Sequence, residues 1–282
     1  MTTTPIVIER LSKVAPLGVR FWDEVSHKAI EDGLIVTAYR AAQPDQVFAL
    51  TLNRVNVFVL QIVPGLRDVE FGDGDQAYWD NLPAPQSFVI DVFDTTNRFL
   101  PFTFTADVPT RDLFEWIYGS PPEQSAVPLF SAPARSVPGG YGVIRAELHD
   151  ESQFDDRTQA YAPAAWAMLE AWYDGQRVGR GLADDQGRIV VFFPYPEPIN
   201  PPISSPPTPR TALTSQVWPI ELRCFYSALS AAQSPDLCAA LTQSPATLLN
   251  ALSPPTPLTI VNVAYGVDRI VKTVGRSDLL IS

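Results

Sequence analysis

The sequence has few of the residues that metal sites and nucleophilic sites use most. It contains two cysteines, Cys224 and Cys238, and two histidines, His27 and His149. Two cysteines exclude a disulfide framework and leave open a single bridge or, as the simpler interpretation, two reduced thiols. A catalytic triad, a Cys-His pair or a zinc site would need a histidine, and both lie in polar stretches that favour a surface role. We therefore expect no catalytic residues and no enzyme activity.

Long apolar runs and nucleotide-binding glycine motifs are also lacking. No window reaches the ~18 consecutive apolar residues of a membrane helix. Residues 1–10 show no basic region followed by an apolar run, which a secretion signal would have. The glycines follow neither the Gly-x-x-x-x-Gly-Lys-Ser/Thr pattern nor the Gly-x-Gly-x-x-Gly pattern that holds phosphate. We expect a protein made in the cytoplasm, without a membrane span and without a cofactor.

Basic residues are scarce over most of the chain. Residues 1–200 hold 15 Lys and Arg against 27 Asp and Glu, whereas residues 201–282 hold five against four. An acidic surface repels nucleic acid and anionic lipid, so neither is an expected partner. Because their charges nearly cancel, residues 201–282 can form a surface that is buried against another protein.

Proline, by contrast, is abundant, with 28 residues, and short runs of β-branched and aromatic residues accompany it. This composition suits many short strands joined by stiff turns. The spacing of these runs in residues 1–120 predicts a mainly β, immunoglobulin-like sandwich module. The predicted strands cover residues 5–9, 17–21, 34–39, 46–52, 55–60, 88–93 and 99–104, with one or two helical turns at 109–116.

A second sandwich module is predicted at 141–198, after a proline-rich linker at 121–140. Ile144, Ala146 and Leu148 alternate with polar residues, which indicates a strand with one solvated face. The acidic stretch 149–156 is expected to form a loop. Further strands are predicted at 166–173, 176–182 and 188–193.

Residues 199–282 are predicted to form a proline-rich strap and a docking region. Eight prolines lie between positions 194 and 209, and such a segment prefers an extended form that cannot enter a sheet interior. Short strands are predicted at 217–226, 258–265, 269–274 and 279–281, with helices at 237–241 and 247–252. Apolar runs this short bury too little surface to fold alone. The sequence therefore predicts that a chain truncated after Glu197 stays folded but no longer joins its assembly.

The long connection at 64–85 contains weak candidates for a metal site. Asp73, Asp75 and Asp80 supply the oxygen ligands that calcium needs. The loop lacks the Gly and the Glu that an EF-hand places at its sixth and twelfth positions. A solvated turn without metal is the expected alternative.

Aromatic residues supply the candidate interface. Tyr78 and Trp79 form an aromatic pair within a polar loop, and with Trp218 they are the residues expected to contact a partner. Trp166 and Trp172 are expected in a core instead, on one face of the predicted strand 166–173.

The second module resembles transthyretin-like, carboxypeptidase-regulatory sandwiches. In that family a strand like 164–172 precedes an Asp-x-x-Gly turn, here Asp184-Asp-Gln-Gly187, and an apolar strand, here ending at Phe193. The first module departs from this pattern, because Asn53-Arg-Val-Asn56 stands where the turn should be. The resemblance implies a non-catalytic adaptor.

The chain as a whole is similar to proteins associated with phage-tail-like contractile injection systems. The similarity rests on Pro16-Leu-Gly-Val-Arg-Phe21, Pro64-Gly-Leu-Arg-Asp68, Phe99-Leu-Pro-Phe102 and residues 164–198. It implies an adaptor or cap component that contacts other subunits of the particle and forms a homo-oligomer. The alternative is a carbohydrate- or ligand-binding accessory module, with the aromatic pair and the acidic loop as its site.

Overall fold

The structure, a computed structural model, describes residues 14–71, 76–117, 126–157, 159–197, 215–229 and 234–282. Within them the chain is mainly β, as predicted, with 22 strands and three short helices. The predicted strand at 5–9 lies outside the described residues. No helix of the described part of the chain is long and apolar enough to cross a membrane.

Short strands dominate the first 130 residues. They are β1 (Leu17–Val19), β2 (Phe21–Asp23), β3 (Lys28–Ala29), β4 (Leu34–Arg40), β5 (Gln43–Ala49), β6 (Thr51–Leu52), β7 (Phe58–Leu60), β8 (Gln86–Asp94), β9 (Phe102–Val108) and β10 (Val127–Leu129). Two single-turn helices, α1 (Arg67–Glu70) and α2 (Gln76–Asp80), lie between β7 and β8.

Longer strands follow, with one helix among them. They are β11 (Tyr141–Asp155), β12 (Ala160–Pro163), β13 (Met168–Tyr173), β14 (Gln176–Leu182), β15 (Arg188–Pro194), β16 (Val217–Phe225), α3 (Leu237–Leu241), β17 (Pro245–Ala246), β18 (Leu248–Leu252), β19 (Pro255–Pro257), β20 (Ile260–Ala264), β21 (Arg269–Ile270) and β22 (Leu279–Ile281).

The chain forms two compact units whose segments alternate along the sequence. Unit 1 takes Met1–Trp22, Ala29–Val92 and Thr103–Val127; unit 2 takes Asp23–Lys28, Phe93–Phe102 and Pro128–Ser282. This division differs from the predicted modules, because two short segments of the predicted first module, Asp23–Lys28 and Phe93–Phe102, belong to unit 2. Leu100, for example, donates its backbone N–H to the carbonyl of Phe130 at 2.9 Å.

Unit 1 contains a four-stranded sheet of order β5-β4-β8-β9 and a three-stranded sheet of order β1-β7-β6. Its core is aromatic: Phe21 meets Phe58 edge-on with ring centroids 5.4 Å apart, and Phe104 meets Trp116 in the same way at 5.8 Å. The pairing of β6 with β7 joins parts of the predicted strands 46–52 and 55–60 around Asn53, whose side chain accepts two backbone hydrogen bonds in the turn. No helix forms at 109–116.

Unit 2 is a sandwich built around β11. This strand pairs antiparallel with β15 and parallel with β21 and β22, and the opposite sheet has the order β14-β13-β16-β17 with β20 also on β16. The alternation predicted for Ile144, Ala146 and Leu148 is confirmed, since all three are buried. They pack with apolar side chains of the opposite sheet, such as Leu169 and Ile220.

The tail supplies half of this sandwich, contrary to the prediction of a separate docking region. β16 pairs with β13 from Met168 to Trp172, and β22 lies between β11 and β18. The alternating apolar residues of β16, together with Leu279 and Ile281 of β22, belong to the core, which β11, β13, β14 and β15 cannot close alone. The predicted linker at 121–140 likewise contains β10, and Phe130 next to it is buried; residues 121–125 lie outside the described part.

Three local predictions in this region were wrong. Residues 149–155 continue β11 instead of forming a loop, and residues 248–252 are the strand β18 instead of a helix. Trp166 precedes β13 and has a φ of 62°, so it does not share a strand face with Trp172. The helix at 237–241 is confirmed, with the side chain of Asp236 capping it.

Candidate docking groove

Tyr78 and Trp79 lie on α2 and are half-buried in unit 1. Their ring centroids are 4.8 Å apart at 70°. The Tyr78 hydroxyl donates to the carbonyl of Val69, and the Arg111 guanidinium lies 6.0 Å from the Trp79 ring. Arg111 also donates to Gln76 at 3.1 Å. Internal contacts thus occupy part of the aromatic surface that a partner or a sugar would need.

The metal candidates are only partly within the described residues. Asp73 and Asp75 lie outside them, and Asp80 is exposed and accepts a hydrogen bond from Gln76 at 2.7 Å. Among the residues that the structure describes, no group of three or more His, Cys, Asp or Glu side chains is arranged to hold a metal ion.

Trp218, the third interface candidate, is a core residue. Only 1% of it is exposed, because it lies on the inward face of β16. Its ring packs 5.2 Å from that of Tyr195, and its indole N–H donates to the carbonyl of Glu197 at 3.3 Å. Trp218 therefore offers no surface to a partner.

Buried carboxylates in unit 2 are bound by the protein's own donors. Arg135 donates to both oxygens of Asp23, at 2.8 and 2.6 Å, and Ser26 adds a third hydrogen bond at 2.7 Å. Burial raises the pKa of Asp23, but the hydrogen bonds from Arg135, Ser26 and the Val25 amide outweigh it, so the pKa lies below its usual value. This carboxylate is held ionised as a structural group.

The cysteines of unit 2 are separate thiols. Cys224 is buried within the core, and Cys238 is half-buried on α3. Burial raises the pKa of Cys224 to about 12, which leaves almost no reactive thiolate at neutral pH.

A groove of about 330 Å³ opens in unit 2 where β18, β20 and β21 approach one another. It is lined by Asn250, Leu258, Ile260, Val261, Asn262, Arg269, Ile270, Val271 and Lys272. Two cations and two amides thus face the groove, and no carboxylate is among these described lining residues. Ile260 and Ile270 are 58% and 65% exposed, so the groove also presents apolar surface to solvent.

Strand pairing holds the walls of the groove in place. β20 pairs with β16, which buries Val261 and leaves Ile260 and Asn262 exposed. On the other side β21 pairs with β11, and the next residue, Val271, donates its N–H to the carbonyl of Arg145 at 2.9 Å. A surface built on paired strands keeps its shape before a partner arrives, which lowers the entropic cost of binding.

Chemically, the groove suits an acidic protein segment with an apolar side chain. Arg269 and Lys272 attract carboxylates, the amides of Asn250 and Asn262 both donate and accept hydrogen bonds, and the isoleucines cover apolar atoms. Sequence reasoning did not single out any of these residues. The sequence feature that indicates the groove is a cluster of positive charge, because three of the five basic residues in 201–282 fall between positions 269 and 276.

No protein-family model and no curated protein sequence matches the chain. Among solved structures, the Bacillus anthracis TIE protein is similar at 10% sequence identity and a TM-score of 0.24. The alignment covers 94% of this chain, which spans 34% of the length of that protein. A similarity this low says nothing about the fold or the partners of this chain.

Proposed function

We propose that this protein is a non-enzymatic structural adaptor that docks onto other subunits of a large particle of the phage-tail-like contractile injection type. The observation that carries the proposal is the groove, which combines two cations with exposed isoleucines in a protein of net charge −11. A basic, apolar recess on an otherwise acidic protein is a surface suited to binding another protein.

The energetics of the groove fit a docking role. Full burial of an isoleucine side chain contributes about 1.5–3 kcal/mol, and Ile260 and Ile270 still have more than half of their surface to bury. The supporting segment is rigid, because the Thr273 hydroxyl donates to the carbonyl of Leu249 at 2.7 Å and accepts from the N–H of Leu280 at 2.9 Å. The partner therefore meets a preformed site.

Sedimentation of native lysate from the source organism tests the adaptor role. The 31.0 kDa chain should move with a high-mass fraction, and the double variant Ile260→Ser/Ile270→Ser should shift towards the free protein. Val55→Ser is the matched control, since Val55 is 65% exposed in a turn of unit 1. If the wild-type protein sediments as a free chain in lysate, the adaptor proposal is wrong.

A further inference from the structure

We infer that the groove of one copy binds the end of a β-ribbon on a second copy. The acidic ribbon is defined as the described residues 149–157 and 159–163, which contain the second half of β11 and all of β12. The inference rests on the proposed function, because it takes the groove as a docking surface. It adds that the partner is a second copy of the same chain.

The acidic ribbon is ordered close to its tip. Phe154 and Tyr161 are cross-strand neighbours with ring centroids 4.9 Å apart, and Gln159 donates its N–H to the carbonyl of Asp155 at 2.8 Å. The Arg276 guanidinium lies 4.8 Å from the Tyr161 ring. Phe154 nevertheless remains 45% exposed, so a rigid support presents an apolar ring to solvent.

Asp150 fixes the base of the acidic ribbon. Its carboxylate accepts from the N–H and hydroxyl of Ser152, at 2.9 and 2.6 Å, and from the amide of Gln153 at 2.8 Å. The strand register shifts between Asp150 and Phe154, as in a β-bulge. Bulges redirect a strand and recur where a side chain must be aimed, and here the bulge precedes the exposed phenylalanine.

The acidic ribbon and the groove are complementary in charge. The ribbon carries Glu151, Asp155 and Asp156, and its one described cation is Arg157. The groove carries Arg269 and Lys272, with no carboxylate among its described lining residues. Opposed charges of this kind steer association and suppress wrong pairings.

The two surfaces also match in apolar character and size. Phe154 of one copy can cover Ile260 and Ile270 of the next, which removes three exposed apolar side chains from water. The groove volume of about 330 Å³ falls within the ~300–1,000 Å³ range of pockets that hold small ligands. It therefore accommodates an aromatic ring with its flanking carboxylates at the rim.

A contact between two different surfaces of the same chain is heterologous. One such contact leaves the acidic ribbon of one copy and the groove of the other free, so further copies can add to form a ring or an open filament. The homo-oligomer expected from the sequence would have this head-to-tail form.

Light scattering on the purified full-length protein tests the contact, with two charge-reversal variants. Arg269→Glu/Lys272→Glu makes the groove acidic, and Asp155→Lys/Asp156→Lys makes the ribbon basic. We expect the wild type to self-associate and each variant to do so roughly tenfold more weakly or worse. An equimolar mixture of the two should associate again, because each groove then faces a ribbon of opposite charge. All four residues are exposed, and circular dichroism checks that the variants remain folded.

Arg54→Glu, in an exposed turn of unit 1, is the matched control and should associate like the wild type. The inference is overturned if the wild type stays monomeric at high micromolar concentration, or if its oligomers survive either reversal. A monomeric wild type whose sedimentation in lysate still depends on Ile260 and Ile270 would remove the ribbon contact and keep the adaptor role. If the purified protein self-associates but no high-mass fraction forms in lysate, the ribbon contact stands and the adaptor role is wrong.

Discussion

Arg180 and Glu24 form a two-pronged ion pair in unit 2 across 156 positions of sequence. The Nε of Arg180 donates to one carboxylate oxygen of Glu24, and Nη2 donates to the other at 3.1 Å. The side chains are 2% and 10% exposed, and the guanidinium lies 5.2 Å from the ring centroid of Phe130. The pair helps to explain why Asp23–Lys28 belongs to unit 2 although the residues on either side of it belong to unit 1.

Breaking this pair should destabilise unit 2 strongly. In Glu24→Ala the Arg180 charge stays buried without its carboxylate, and a loss of about 3–5 kcal/mol in the free energy of unfolding is expected. Urea denaturation measures the loss. The double variant Glu24→Ala/Arg180→Met removes both charges and should recover most of it. If the free energy of unfolding of Glu24→Ala lies within about 0.5 kcal/mol of the wild-type value, solvent reaches the pair.

Stability should fall in acid because several buried aspartates are held ionised. For Asp94, burial raises the pKa, but hydrogen bonds from Arg98 and Thr96 outweigh it and leave the pKa below its usual value. A pKa lower in the folded than in the unfolded state gives stability that is fully present above about pH 4. That contribution is lost as the pH falls through the folded-state pKa.

Denaturation at a series of pH values checks this expectation. The free energy of unfolding should drop below about pH 4, and the drop should be smaller in Asp94→Asn and Asp23→Asn. Asp91→Asn is a contrasting control, since burial raises the pKa of Asp91 and its contribution has the opposite sign. Equal pH dependence in all three variants and the wild type would contradict the assignment.

Substitution of Gly187, in the turn that begins at Asp184, should destabilise the protein more than substitution of Gly175. Its φ is 75°, and an added Cβ would lie 2.2 Å from the carbonyl oxygen of Leu148. Gly175 has a φ of 74° but open space around it. Gly175→Ala should therefore cost only the backbone strain, about 1 kcal/mol, whereas Gly187→Ala should cost that and a steric clash. Similar melting temperatures for the two variants would show that the backbone at Leu148 yields.

Truncation after Glu197 should now unfold unit 2 instead of leaving it intact. The truncated chain loses β16, β20 and β22, and with them Trp218, Ile220 and Leu279 of the core. Circular dichroism and hydrogen exchange on residues 141–194 should show loss of protected strand structure. A cooperative melt of those strands in the truncated protein would support the docking tail that the sequence predicts.

Local pattern was sufficient to predict β13, β14, β15 and β16 of unit 2. The alternation around Ile144 depends only on which face of its own strand is buried, and the Asp-x-x-Gly turn at Asp184 depends on hydrogen bonds to residues two and four positions away. Asp184 accepts from the backbone of Gln186 and Arg188 at 2.9 Å, as such a turn requires. β15 follows directly.

Parallel pairing could not be predicted in the same way. β21 and β22 pair with β11 although more than a hundred residues separate them, and no turn sequence marks such a partner. Without these long-range partners, the short apolar runs of the tail predict a docking region. Residues 247–252 had a composition compatible with a helix, and pairing with β19 and β22 decides for a strand.

The groove escaped prediction for a related reason. Its lining comes from separate stretches around Asn250, Ile260 and Arg269, and only the folded sheets bring them together. Trp218 was assigned to an interface because its proline-rich surroundings favour exposure, although the pattern of its strand favours burial. Its alternation with Ile220 and Leu222 on β16 was the usable signal.

The position of β22 has a consequence for synthesis on the ribosome. Its partner residues on β11 are made long before it, since Leu148 pairs with Leu279. At about 5–20 residues per second, one edge of β11 stays unpaired for many seconds after that strand has left the exit tunnel. An exposed edge of this kind recruits other strands. Nascent chains on neighbouring ribosomes are thus a hazard for this protein, and a chaperone that shields β11 until β22 arrives should raise the yield of soluble product.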